Sequence, residues 1–216
     1  GRLLIVQAGN PRLEPLIQEA QSLGIRSRPA SRNELDKRSS GVRHQGVALE
    51  VAPFIYAPLS RLLDEPGPVI ALDGVEDPGN LGAIIRSTYA LGGAGVMIPK
   101  RGAASVTPSC ERAAVGAASL LPIASVTNLA RSLDEAKSAG HWIFAADASG
   151  TQTIEQFDLN EPVVLVLGGE GKGLRPGVLK RCDGVFRLPM LRDFESLNVS
   201  VSAALCLDAV RRYRDQ

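Results

Sequence analysis

From residue 68 onward, short apolar runs alternate with longer stretches that carry helical spacing. The runs are PVIALDGV, GVMIP, IASV, HWIFAADA, PVVLVLG and GVFRLPM. Between them lie NLGAIIRSTYALG, PSCERAAVGAASLL, NLARSLDEAKSAG and the short LRPGVLKRC. Continuous apolar runs suit strands buried on both faces. Strands separated by helices predict an α/β domain with a mainly parallel sheet. The last segment, ESLNVSVSAALCLDAV, is apolar nearly all round and predicts a helix buried on every side. Its entrance is crowded with Ser196, Asn198, Ser200 and Ser202, whereas a helix N-terminus needs one capping side chain.

The amino-terminal part has a different texture. RLLIVQ, IRSRPA and HQGVALEVA are candidate strands, and PRLEPLIQEAQSLG is a helix closed by Gly24. Ser31 and Glu34 predict a capping box opening a short helix. Between residues 26 and 44 stand six basic residues, Arg26, Arg28, Arg32, Lys37, Arg38 and Arg43, against Glu34 and Asp36. Such a cluster is either a solvated face or a phosphate-contacting surface. The Pro- and acid-rich APLSRLLDEPGP has the composition of a linker. The expected division is a small domain over 1–52, a linker over 53–66 and the main domain over 67–216.

Composition narrows the function classes. Net charge is +1, so the whole chain neither demands nor forbids a polyanionic partner. Three cysteines and two histidines, widely spaced and with no CxxC pair, point away from a disulfide framework and from a metal site. No apolar run reaches membrane-spanning length and no signal peptide opens the chain, so a cytoplasmic protein is expected, or an organellar one in a eukaryote.

Ligands of parallel sheets bind beyond the carboxyl ends of the strands. Three strand exits stand out. DGVEDPGNLGAIIRS offers Asn80 at a helix start and Arg86 in a helix with little other charge, where a phosphate, a carboxylate or a partner subunit would satisfy it. LVLGGEGKGLRP packs four glycines, 168, 169, 171 and 173, around Glu170. It matches neither the Walker A pattern, since Leu174 stands where Lys is required, nor a G-x-G-x-x-G fingerprint. The third exit runs from Leu188 and Met190 into the Ser/Asn-rich helix entrance.

In their order and spacing these three segments resemble the motifs of the SpoU (TrmH) family. The matching residues are Asn80-Leu81-Gly82 to Arg86-Ser87, Leu167 to Leu174, and Pro189-Met190 to Ser196-Leu197-Asn198-Val199-Ser200. The resemblance spans about residues 67–214 and implies an RNA 2′-O-ribose methyltransferase that uses S-adenosylmethionine, with the knotted SPOUT sheet flanked by helices. It implies catalytic positions at Arg86, Asn80, Glu170, Ser196 and Asn198. It implies cofactor contacts at Gly168, Gly169, Leu188, Met190 and Leu197. HQGV, after the basic segment, is similar to the substrate-binding domain of the ribosomal-RNA members, here without its usual first strand and helix. That implies RNA contacts from Arg26, Arg28, Arg32, Arg43 and His44, and a guanosine of large-subunit ribosomal RNA as substrate. Transfer RNA or a resistance-type rRNA adenosine are the alternatives. A homodimer follows from the same resemblance, with Arg86 of one subunit serving the cofactor loop of the other. One departure is Arg192, where many relatives have Gly.

Two other classes compete. A non-catalytic RNA-binding assembly protein would show erosion at Asn80, Arg86, Glu170, Ser196 or Asn198, and all five are present. A dehydrogenase- or kinase-like protein would need nucleotide fingerprints that the chain lacks.

Overall fold

The computed structural model describes residues 2–39, 43–169, 171, 173–192 and 196–216. The chain forms two compact units, Gly1–Phe54 and Ile55–Gln216.

In the first unit, β1 (Leu3–Gln7) is the central strand, parallel to β2 (Arg26–Ala30) and antiparallel to β3 (Val47–Glu50). The period of two along β1 divides its side chains between two small cores. Leu4 and Val6 pack with Ala20 and Ile17 of helix α1 (Glu14–Ser22), while Ile5 joins Ala30 and Leu35 of α2 (Arg32–Arg38). The capping box at Ser31 is only half formed. Ser31 accepts the Glu34 N–H at 3.2 Å, but the Glu34 carboxylate turns to Arg28 and Arg38 instead of back to the cap.

The second unit is built on a six-stranded sheet. Its strands are β4 (Val69–Asp73), β5 (Gly95–Pro99), β6 (Ile123–Val126), β7 (Trp142–Ala146), β8 (Val163–Gly168) and β9 (Gly184–Phe186). They lie in the order β6-β5-β4-β8-β7-β9, and every pairing is parallel. Strands β4 and β5 are buried along their whole length, as their unbroken apolar runs require. From β4 the chain builds outward through β5 and β6, then returns to place β7, β8 and β9 on the other side. Strand order therefore switches between β4 and β8. Residues 169–183 must pass from the middle of the sheet to the far side of β7.

Helix α4 (Pro78–Ala90) packs against α5 (Pro108–Ala114) and against the final helix α8 (Val199–Arg214). A Cβ on Gly82 would collide with the Cys110 carbonyl and the Ala113 side chain, so this glycine is what lets α4 and α5 approach. The other face of the sheet is closed by α6 (Leu129–Ser138) and the short α7 (Pro176–Leu179), around Leu133, Val166 and Val178.

Three expectations change. The single helix read from PSCERAAVGAASLL is broken, because Val115 (φ 51°) and Gly116 (φ 88°) are left-handed and only a 3₁₀ turn, Ala117–Ser119, follows. The linker expected over 53–66 contains helix α3 (Leu59–Asp64), whose Leu62 is fully buried in the second unit. Helix α8 is not buried on every side of the single chain: Val201 and Leu205 are 46% and 45% exposed.

Candidate active site

Two helix N-termini meet at the carboxyl edge of the sheet. Asp77 caps α4 by accepting the Asn80 N–H at 2.7 Å, and Asn198 caps α8. Asn198 Oδ1 accepts the backbone N–H of Ser200 at 2.9 Å and the Ser200 hydroxyl at 2.6 Å. Its Nδ2 donates to Asn80 Oδ1 at 3.1 Å, across 118 positions of sequence. The polar crowding at the mouth of α8 thus has several separate uses. Asn198 caps its own helix and fixes Asn80, Ser200 steadies Asn198, and Ser196 and Ser202 face a cavity.

That cavity, of about 660 Å³, lies beyond the carboxyl ends of β7, β8 and β9. One wall is main chain, at Gly168, Gly169, Gly171 and Gly173. Gly169 and Gly173 form an antiparallel bridge, and Gly171 and Gly173 hold positive φ angles of 82° and 59°. A Cβ on Gly168 would come within 2.5 Å of the Gly173 carbonyl carbon, and one on Gly169 would collide with the Gly74 carbonyl. A side chain at 169 would therefore force the loop off the end of β4, and one at 168 would force the loop's own two ends apart. The opposite wall is aliphatic, from Leu188, Met190, Leu197 and Val199. Polar groups are few: Asp147, Arg187, Ser196 and Ser202. A cavity with glycine backbone and aliphatic walls and a handful of polar groups is suited to a nucleoside-like ligand.

The cavity gathers Gly168, Gly169, Leu188, Met190, Ser196 and Leu197, all named from sequence. Asn80 and Asn198 stand together beside it, without lining it. Arg86 is not brought in. It is exposed on α4, six residues beyond Asn80, and makes no hydrogen bond or ion pair among the described residues. Six residues along a helix is about 9 Å. Glu170 lies outside the described residues. Arg192 is exposed.

Sequence reasoning missed Asp147, Arg187 and Asp73. Asp147 and Arg187 sit at the exits of β7 and β9, and their strand-exit positions were the available signal. Asp73 ends the buried strand β4, and its carboxylate accepts from Arg175. A lone acid closing an apolar run was the signal there. The cysteines are not nucleophile candidates. Burial pushes the Cys110 thiol up to about 11 and Cys206 up to about 12, so both stay protonated near neutrality.

The first unit redistributes its basic residues. Arg28 is held by Glu34, and Arg38 by Glu34 and Glu50. His44 closes a turn. Its Nδ1 accepts the Gly46 N–H at 2.9 Å, which leaves the proton on Nε2 to be donated to Asp36 at 2.9 Å. Gln45 and Gly46, with φ of 52° and 87°, complete that turn, so HQG has a structural reason in its own right. The side chains of Arg26, Arg32 and Arg43 are exposed and without a hydrogen bond or ion pair among the described residues.

An all-parallel sheet with the β4–β8 switch and a glycine-walled cavity at that edge is an α/β fold with its ligand site at the topological switch, and its structural neighbours put it in the SPOUT methyltransferase class. Solved structures agree. The SpoU methyltransferase AviRb of Streptomyces viridochromogenes, crystallised with AdoMet, superposes with a TM-score of 0.87 at 24% identity, over 100% of this chain and 83% of that one. An AdoMet-bound rRNA methyltransferase of Sinorhizobium meliloti gives 0.80 at 25% identity, over 98% and 79%. Residues 67–208 match the model of the SpoU rRNA methylase family, and residues 2–57 match that for RNA 2′-O ribose methyltransferase substrate binding. A Mycolicibacterium vanbaalenii protein, named as an uncharacterized tRNA/rRNA methyltransferase, is 43% identical over 209 residues, covering 94% of this chain and 67% of that protein. The chain belongs to the SpoU rRNA methylase family.

Proposed function

We propose that the chain methylates a ribose 2′-hydroxyl of RNA, on a guanosine of large-subunit ribosomal RNA, with S-adenosylmethionine as donor. The observation that carries this reading is the glycine-walled cavity adjoining the Asn80–Asn198 pair. S-adenosylmethionine, when bound, supplies an electrophilic methyl group. Leu188, Met190 and Leu197 suit the adenine ring, and the main chain at Gly168 and Gly169 suits its polar edge. Asn80 and Asn198 fix each other and so hold the adjoining helix ends in place. Ser196, facing the cavity, provides a hydroxyl for the ribose side.

The hydroxyl would be oriented for in-line displacement, its oxygen bonding to the methyl carbon as the methyl–sulfur bond breaks, and its proton would pass to solvent water. A guanidinium is a cation and a poor base, so Arg86 serves as a phosphate clamp and stabilises developing alkoxide charge instead of removing the proton. Its position away from its own chain's cavity is consistent with service to a partner's site. The exposed Val201 and Leu205 on α8, with Tyr89 exposed on α4, support a homodimer through these helices. Arg26, Arg32 and Arg43 are the RNA-phosphate contacts this reading favours in the first unit, since Arg28 and His44 are committed to internal partners. The chain would act in the cytoplasm; no described helix is long and apolar enough to cross a membrane.

Calorimetry with S-adenosylmethionine, NAD and ATP tests the cofactor reading, with binding expected for the first alone. Arg86→Ala is expected to lower methyl transfer by two orders of magnitude or so, ~10² for loss of one charge-stabilising donor, with cofactor affinity unchanged. Unchanged transfer in that variant removes Arg86 from the mechanism.

A further inference from the structure

Asp73, the last residue of β4, has a side chain with no solvent exposure. Three donors converge on its carboxylate. The Arg175 backbone N–H reaches Oδ2 at 2.8 Å, Arg175 Nε reaches Oδ1 at 2.7 Å, and a second guanidinium nitrogen reaches Oδ1 at 2.6 Å. The Asp73 backbone carbonyl accepts from the Gly169 N–H at 2.7 Å. One residue of β4 therefore grips both ends of the glycine segment, its opening at Gly169 and its close at Arg175. Neither Asp73 nor Arg175 lines the cavity.

Glycine backbone has more freedom to lose than any other. A segment that recognises a ligand through its main chain would bear that ordering cost at binding, unless it were ordered beforehand. The Asp73 grip supplies such ordering. It also explains a buried carboxylate at the functional edge of an otherwise apolar strand, where an apolar residue would pack without needing a counter-charge. Arg175 provides that charge with its own side chain 61% exposed, so it adds little to the core.

We propose that Asp73 and Arg175 are positioning residues that pre-order the glycine segment for S-adenosylmethionine. The proposal rests on the cofactor reading above. The test compares the wild-type full chain with Arg175→Met, Arg175→Lys, Asp73→Asn and the Asp73→Asn/Arg175→Met double variant. Each is measured by calorimetry with S-adenosylmethionine and by hydrogen exchange without ligand. Arg175→Met is expected to raise Kd about tenfold, as for one lost charge-assisted contact. Arg175→Lys recovers part of that loss. The double variant binds no more weakly than the worse single one, because both changes break the same grip.

Exchange should quicken in peptides covering residues 168–176, while peptides of α6 keep wild-type protection. A purely global loss of stability would quicken both. Wild-type affinity in Arg175→Met, additive losses in the double variant, or quickening spread evenly over the second unit would each overturn the proposal. If the wild-type chain bound no S-adenosylmethionine, the cofactor reading would fall, and the exchange data would still decide whether the grip orders the segment.

Discussion

His141 is buried at the start of β7, and its Nδ1 has no hydrogen-bond partner among the described residues. Burial pulls its pKa below the ordinary imidazole value, only partly offset by the carbonyls of Ala136 and Ala139. The folded chain thus binds this proton less readily than the unfolded chain. Stability is intact above the unfolded pKa, about 6.5, and is lost as pH falls from there toward the lower folded value. His141→Phe is expected to flatten the fall in melting temperature below pH ~6.5, while leaving the profile above it unchanged. An unaltered acid slope in His141→Phe would place the sensitivity elsewhere. Single residues also show what sequence can hide. Asn198 reads as one polar group more than a helix mouth needs, yet only the fold shows that its partner is Asn80, 118 positions away. Asp73 reads as the end of a strand, and only the fold brings Arg175 to it across 102 positions.

At the scale of elements, α4 is placed by what Gly82 lacks. Replacing a helical glycine by alanine ordinarily gains up to about 1 kcal/mol in helix propensity. Here the added methyl meets the Cys110 carbonyl and Ala113, and overpacking of that kind costs roughly 1–3 kcal/mol. The collision involves backbone, so the cost dominates. Gly82→Ala is expected to destabilise the second unit in denaturant by up to ~2 kcal/mol net. A stabilised variant would mean that α4 and α5 separate freely. The strands were legible because their apolar runs are unbroken, as in PVIALD and PVVLVLG. The break after α5 was harder to read, since Val115 is an unusual residue for a left-handed position. The helix within 53–66 is harder to read, because Pro and acidic residues surround the short α3 and mask Leu62.

For the whole molecule, the exposed Val201 and Leu205 bear on how many copies form a working enzyme. Val201→Arg is expected to convert a dimer into a monomer in sedimentation at micromolar concentration, and to abolish methyl transfer with it. A wild-type monomer under the same conditions would refute the shared site. The lining of the cavity was largely legible, because Gly168, Gly169, Leu188, Met190, Ser196 and Leu197 fall in two compact segments that the fold brings together. The state of the basic residues in the first unit was less so. Charge alone could not show that Arg28 and His44 are engaged by Glu34 and Asp36, whereas Arg26, Arg32 and Arg43 stay exposed.

The most direct measurement supplies methyl-labelled S-adenosylmethionine to the wild-type chain with unmodified ribosomal and transfer RNA, then maps 2′-O-methylated nucleotides. Label is expected at a guanosine ribose of large-subunit ribosomal RNA, arriving ~10²-fold more slowly in the Arg86→Ala reaction. Label confined to transfer RNA would contradict the proposed substrate, and RNA left unlabelled in both pools would contradict the proposed methyl transfer itself.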